Sequence, residues 1–278
     1  MISRILFFVL LVSFVPVQAA DDLSLEGSYQ QGGLLIGKTR PGSTVEVDGE
    51  ALRVSPRGDF LVGFHRDEPG LRHLRVTLPD GRQLERDLKV AQRQYRIQRI
   101  DGLPPSKVSP NQKQLDRIWR EAKIIKKARK VDTPATDFLA GFQWPLTGPI
   151  SGVYGSQRIL NGKPRQPHYG VDIARPVGTR VRAPAGGVVT LAESDLYFTG
   201  GTLAIDHGHG LSSWFLHLSK LLVKKGDRIE PGQEIAEVGA TGRVTGPHLD
   251  WRMNLFEKRI DPSLLVGPMP AENVADGS

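Results

Sequence analysis

The chain of 278 residues is 39% hydrophobic and 24% charged and contains no cysteine. That is a globular composition with apolar surface for one or two cores, and it excludes pervasive disorder, a collagen and a disulfide scaffold. Thirty-seven lysines and arginines against thirty acids give a net charge of +7, while the lack of cysteine removes thiolate metal sites and cysteine nucleophiles, so any metal must sit on His, Asp or Glu.

At the N-terminus Arg4 precedes the apolar run Ile5 to Val15, followed by Pro16 and Val17-Gln18-Ala19. Small residues fall where a signal peptidase reads, so a signal peptide over residues 1–19 is expected, with cleavage after Ala19 and a periplasmic or secreted destination. The rival is a membrane anchor, but the run is short of the roughly 20 apolar residues that span a bilayer. No later stretch is long and apolar enough either, so no transmembrane anchor is expected.

From residue 20 to 95, short alternating runs such as Thr44-Val45-Glu46-Val47 and Leu74-Arg75-Val76-Thr77-Leu78 lie between turn signals at Asp48-Gly49, Arg57-Gly58, Pro69-Gly70 and Asp80-Gly81. Strands punctuated at this interval predict an antiparallel β-sandwich. Asp80-Gly81 predicts a two-residue hairpin turn joining strands near Leu71–Leu78 and Gln83–Val90. Titratable groups do not cluster here, which makes this unit a structural or binding module.

Residues 96–141 form the expected linker. Ser109 as a hydroxyl cap, Pro110 at the first helical position and Gln112 three residues past the cap predict a helix start. Leu115, Ile118, Trp119, Ala122, Ile125 and Ala128 then fall on one face at helical spacing. Between Lys113 and Lys130 the segment carries eight basic and two acidic residues. Such a face is ordinarily solvated; the alternative in an exported protein is a grip on anionic envelope polymer, whereas export argues against a nucleic-acid partner.

Residues 142–266, with a flexible tail at 267–278, hold the chemistry, since five of the seven histidines lie between His168 and His248. In an extended chain the backbones of His168 and Asp172 would lie about 13 Å apart. Convergence on one ion needs a bend, which Gly170 permits. His248 and Asp250 alternate with Leu249 and face one side of a strand, with Leu249 turned to the core. His217 sits in the apolar run Trp214-Phe215-Leu216-His217-Leu218, where a core histidine satisfied by a hydrogen bond is the plain reading. His207-Gly208-His209-Gly210 reads as a turn outside the site.

The order His168-x-x-x-Asp172, then Asp206-His207-Gly208-His209-Gly210 through Leu218, then Val223 to Gly239 with Pro231-Gly232-Gln233, then Thr241-Gly242-Arg243-Val244-Thr245-Gly246-Pro247-His248-Leu249, resembles the lysostaphin-type zinc endopeptidases of peptidase family M23. The leading sandwich with Tyr95 to Pro104 is similar to the N-terminal domain that precedes this catalytic domain in some exported Gram-negative members. The resemblance implies a mainly β protein: an N-terminal β-sandwich, a helical linker and a C-terminal antiparallel β domain with a groove. It implies Zn2+ held by His168 and Asp172, with His217 and His248 as catalytic residues. The third ligand of the family is a histidine two residues after the position of His248, and Asp250 stands there instead. A carboxylate oxygen is also an accepted zinc ligand. It lowers the formal charge of the site by one, so Asp250→His is expected to restore or improve metal binding.

The implied activity is hydrolysis of peptide bonds in bacterial peptidoglycan by a metal-activated water, with His248 as base and His217 stabilising the transition state, or the two roles reversed. The alternative is a degenerate scaffold that binds cell-wall peptide or activates a cell-wall amidase.

Overall fold

The computed structural model describes residues 22–100, 111–160 and 162–270. The expected signal peptide, the cap at Ser109 with Pro110, and the tail beyond residue 270 lie outside the described residues. The described residues are mainly β with one α-helix. Its strands begin with β1 (Leu23–Gly27), β2 (Leu34–Thr39), β3 (Thr44–Val47), β4 (Glu50–Leu52), β5 (Asp59–Gly63), β6 (Leu71–Thr77) and β7 (Gln83–Lys89). These make two antiparallel sheets, ordered β1-β2-β5 and β4-β3-β6-β7. The alternation read from the sequence decides what they bury: Val45, Val47, Leu74 and Val76 turn inward onto Leu35, Phe60 and Phe64.

The β6–β7 hairpin is present, but its turn is longer than expected. The Leu78 N–H donates to the Arg82 carbonyl and the Gly81 N–H to the Leu78 carbonyl, which closes a three-residue loop of Pro79, Asp80 and Gly81. Gly81 at φ 83° supplies the left-handed residue on which such loops end.

Next come β8 (Ile97–Ile100), the helix α1 (Gln112–Arg129), β9 (Ile150–Gly152), β10 (Gln157–Leu160) and β11 (Lys163–Pro164). The segment read as linker is thus partly structured, with β8 pairing in parallel with β10. The cap of α1 is Asn111, not Ser109: its side chain accepts from the Gln114 N–H while the Gln114 side chain accepts from the Asn111 N–H, a reciprocal capping box.

The remaining strands are β12 (Val171–Ile173), β13 (Arg180–Arg182), β14 (Gly187–Leu196), β15 (Gly200–Gly208), β16 (Leu211–Leu218), β17 (Lys220–Leu221), β18 (Arg228–Ile229), β19 (Glu234–Glu237), β20 (Leu249–Leu255) and β21 (Lys258–Ile260). The central sheet runs β18-β14-β15-β16-β20-β12-β9, with β21 on β20, and all its pairings are antiparallel.

One face of this sheet carries the main core, including Ile173, Leu203, Phe215, Leu249, Trp251 and Met253. On the other face Ile125 and Ala128 of α1 pack on Leu191, Ala204, Trp214 and Leu216. Covered on both sides, β15 and β16 are buried throughout. Trp119, expected on the packed face, is instead 68% exposed. The inward stripe is Ile118, Glu121, Ile125 and Ala128, and Glu121 is held there by accepting the Tyr197 N–H at 2.7 Å. Among the described residues no helix is long and apolar enough to cross a membrane.

Candidate metal centre

The register of three strands assembles the site. In the β12–β20 pair Asp172 stands directly opposite Asp250, and in the β9–β12 pair it stands opposite Gly152. Directly opposed residues share a face of the sheet, so the two carboxylates point to one place. Gly152 is required there, since a Cβ on it would lie 2.1 Å from Asp172 Oδ2. The chain bends at Gly170, just before β12, and this returns His168 over the pair.

His168 Nε2 then lies 3.0 Å from Asp172 Oδ1 and 3.5 Å from Asp250 Oδ2. One donor atom from each of the three residues lies within 4.8 Å of the others. His168 Nε2 and Asp172 Oδ1 are buried and neither makes a hydrogen bond of acceptable geometry. Two carboxylate oxygens and an imidazole nitrogen, two of the atoms orphaned and all aimed at one point, fit a divalent cation such as zinc with a position left open. Burial alone would push the His168 imidazole down, but the two carboxylates overturn that and hold it up at about 10. The pocket therefore favours positive charge.

His248 enters on the residue before β20, with Nε2 3.9 Å from Asp172 Oδ1. His217, near the end of β16, adopts φ 64°, the left-handed region, and its ring centroid lies 5.0 Å from that of His248. Each ring donates through Nδ1 to a carbonyl at 2.9 Å, Thr241 for His217 and Gly246 for His248. In the neutral rings this leaves both Nε2 atoms bare. Burial pushes the His217 imidazole down, which keeps it neutral.

All five residues singled out in the sequence thus meet in one place, whereas His207 and His209 stay outside it. His207 lies within β15 and not in the turn. Its Nδ1 contacts the Gly186 carbonyl at 2.6 Å and its Nε2 the Ser213 hydroxyl at 2.7 Å. Full burial pushes it down to about 4, so it is a neutral structural residue. His209 opens the turn at φ 52° and packs against Phe138.

The sequence reading passed over Arg252. Its Nε lies 2.9 Å from Asp250 Oδ1 and 3.0 Å from Oδ2, and its Nη2 lies 2.5 Å from Oδ2. Burial raises the Asp250 carboxyl, but Arg252 and the His168 contact outweigh it and hold the group well below the usual carboxylate range. The signal available was the spacing: Arg252 follows Asp250 by two residues and so shares its face of β20.

Residues 166–262 match the model of peptidase family M23. The chain is 46% identical over 87 residues to the peptidoglycan DD-endopeptidase ShyA of Vibrio cholerae, covering 31% of this chain and 20% of that protein. It is 41% identical over 131 residues to the peptidoglycan DD-endopeptidase ShyB of the same organism, covering 47% and 28%. The chain therefore spans a fifth to just over a quarter of these relatives' lengths. A crystal structure from Pseudomonas aeruginosa assigned to peptidase M23 superposes with a TM-score of 0.66 at 30% identity, covering 86% of this chain and 95% of that one. With both the local motif and nearly the whole length of that structure shared, the chain belongs to peptidase family M23.

Proposed function

We propose that the protein is an exported zinc-dependent endopeptidase that hydrolyses peptide bonds of bacterial peptidoglycan. The observation that carries this reading is the convergence of His168, Asp172 and Asp250 on one point beside the paired rings of His217 and His248. The names of ShyA and ShyB support the substrate class. In this reading residues 1–19 are the export signal, 20–95 a sandwich module, 96–141 the linker and 142–266 the catalytic unit, with 267–278 as its tail.

His168, Asp172 and Asp250 would hold zinc, which when bound polarises the scissile carbonyl and acidifies water. The proton work falls to the two histidines. His217, buried and neutral with Nε2 bare, has the form a base needs, and it can return the proton to the leaving amine. His248, whose Nε2 lies 3.9 Å from Asp172 Oδ1, then takes the role of stabilising the developing oxyanion. This favours the reverse of the division of labour put first from the sequence. The carbonyls of Thr241 and Gly246 fix both ring orientations, so neither Nε2 has to be reoriented during the reaction.

Digestion of purified sacculi, with the released fragments identified by mass spectrometry and bound metal measured on the same sample, tests the proposal. The expected result is one zinc per chain and cleavage that stops when the metal is chelated. One observation favours the degenerate scaffold: Arg252 already engages both oxygens of Asp250. For that reading the expected result is no bound metal and no cleavage, with sacculi still retained.

Anionic envelope polymer is proposed as a partner of the outward face of α1, where Lys123, Lys126, Lys127 and Lys130 are all exposed around Trp119. Cosedimentation with sacculi that weakens as salt is raised would support it.

A further inference from the structure

Arg252 meets Asp250 in a place built for the pair. A Cβ on Gly170 would lie 2.4 Å from Asp250 Oδ1 and 2.6 Å from Arg252 Cγ, so the one residue without a side chain stands where the ion pair passes under the bend that carries His168. The carboxylate is 2% exposed and the guanidinium half-buried. A buried ion pair is costly to assemble and does not by itself explain its presence through stability. Its position beside the metal donors supplies another reason.

Two carboxylates cancel the charge of a divalent cation, leaving a site with no net charge to stabilise an electron-rich carbonyl oxygen. One fixed guanidinium on one of those carboxylates restores a single positive charge. It does so without blocking ligation, because a carboxylate offers about four lone-pair directions and the Arg252 fork uses only some of them. The fork also fixes the plane of the carboxylate while Oδ2 continues to face His168 Nε2 at 3.5 Å.

We propose that Arg252 is a positioning and charge-balancing residue of the metal centre, coupled to Asp250 so that the aspartate serves as a zinc ligand without lowering the net charge of the site. This rests on the reading of His168, Asp172 and Asp250 as the metal ligands. It reverses the sequence-based expectation for Asp250→His: with Arg252 still in place, a neutral imidazole at 250 leaves the guanidinium unopposed beside the cation.

The test is a double-mutant cycle on zinc affinity, measured by competition with a chromophoric chelator on the full chain, with His168→Ala as control. Asp250→His alone is expected to bind zinc about tenfold or more weakly than the wild type through the unopposed charge. Asp250→His combined with Arg252→Met is expected to recover at least that factor, while Arg252→Met alone does not tighten binding. Arg252→Lys, which keeps the charge, is expected to stay within a few fold of the wild type. If the histidine variant does not fold, Asp250→Asn in the same two backgrounds repeats the comparison. Equal factors for Arg252→Met in both backgrounds would make the coupling zero and overturn the proposal. Failure of the wild type to bind zinc more tightly than His168→Ala would instead overturn the metal-centre reading beneath it.

Discussion

His217 holds its ring against His248 at the cost of a left-handed backbone, φ 64° on a residue with a Cβ. That conformation costs roughly 1–2 kcal/mol for a non-glycine residue. His217→Gly and His217→Ala both remove the ring, yet the glycine variant should be the more stable by about 1 kcal/mol in urea unfolding. Equal stabilities would show that the residue carries no strain. His207 makes a second prediction at this scale. Its folded pKa of about 4 lies below the ordinary histidine value of 6.5, so the unfolded chain takes up the proton first. Stability from this group is complete above pH 6.5 and is lost as pH falls toward 4, by on the order of 3 kcal/mol. His207→Gln, compared with the wild type by urea unfolding at pH 7 and pH 4.5, should lack that share of the loss. The five residues of the candidate site were legible mainly through the family resemblance: spacing by itself put His248 and Asp250 on one side of a strand, but left His168 and Asp172 dependent on a bend and His217 as a core histidine. Gly170 was legible as the bend that convergence requires, whereas Gly152 and Arg252 were not, because a missing side chain and a neighbouring charge acquire meaning only once β9, β12 and β20 stand in register.

Strand and hairpin positions were legible wherever alternation met a turn signal, as in β6 and β7, because one buried face of a sheet imposes a period of two. The packed face of α1 was harder to see. Its inward stripe includes Glu121, a charged residue that apolar periodicity skips, and of its two partners Arg117 lies one turn earlier while the backbone N–H of Tyr197 is distant in sequence. Two substitutions separate the faces. Ile125→Ala removes a contact with the central sheet and should cost about 1 kcal/mol or more. Trp119→Ala, at an exposed position, should change stability by less than about 0.5 kcal/mol. Denaturant midpoints of the two variants decide this, and a loss at Trp119 as large as that at Ile125 would show that Trp119 packs as the sequence pattern expected. The cap is a similar case: Ser109-Pro110 satisfies the familiar start signal, but Asn111 with Gln114 offers a reciprocal pair of hydrogen bonds two residues later.

Across the whole molecule, the N-terminal sandwich keeps a buried cluster of its own and also shares apolar contacts with the central sheet. Leu34 on β2 and Leu61 on β5 belong to the same buried cluster as Leu255 and Ile260 of the central sheet. Polar contacts follow the same seam: Arg93 bonds Asp261 at 2.8 Å, the Asp261 N–H donates to the Gly32 carbonyl, and Arg66 donates to the Gly155 carbonyl at 2.9 Å. Leu61→Ala should therefore destabilise more than the N-terminal sheets alone, by about 2–4 kcal/mol, and melting followed by a probe in either half should shift by the same amount. Movement of only the N-terminal probe would show that the seam does not couple the two halves. The shared leucines have a thermodynamic consequence. Neither half can lose its structure without exposing apolar surface of the other, so the heat capacity of the folded chain should pass through a single calorimetric peak, with van't Hoff and calorimetric enthalpies equal.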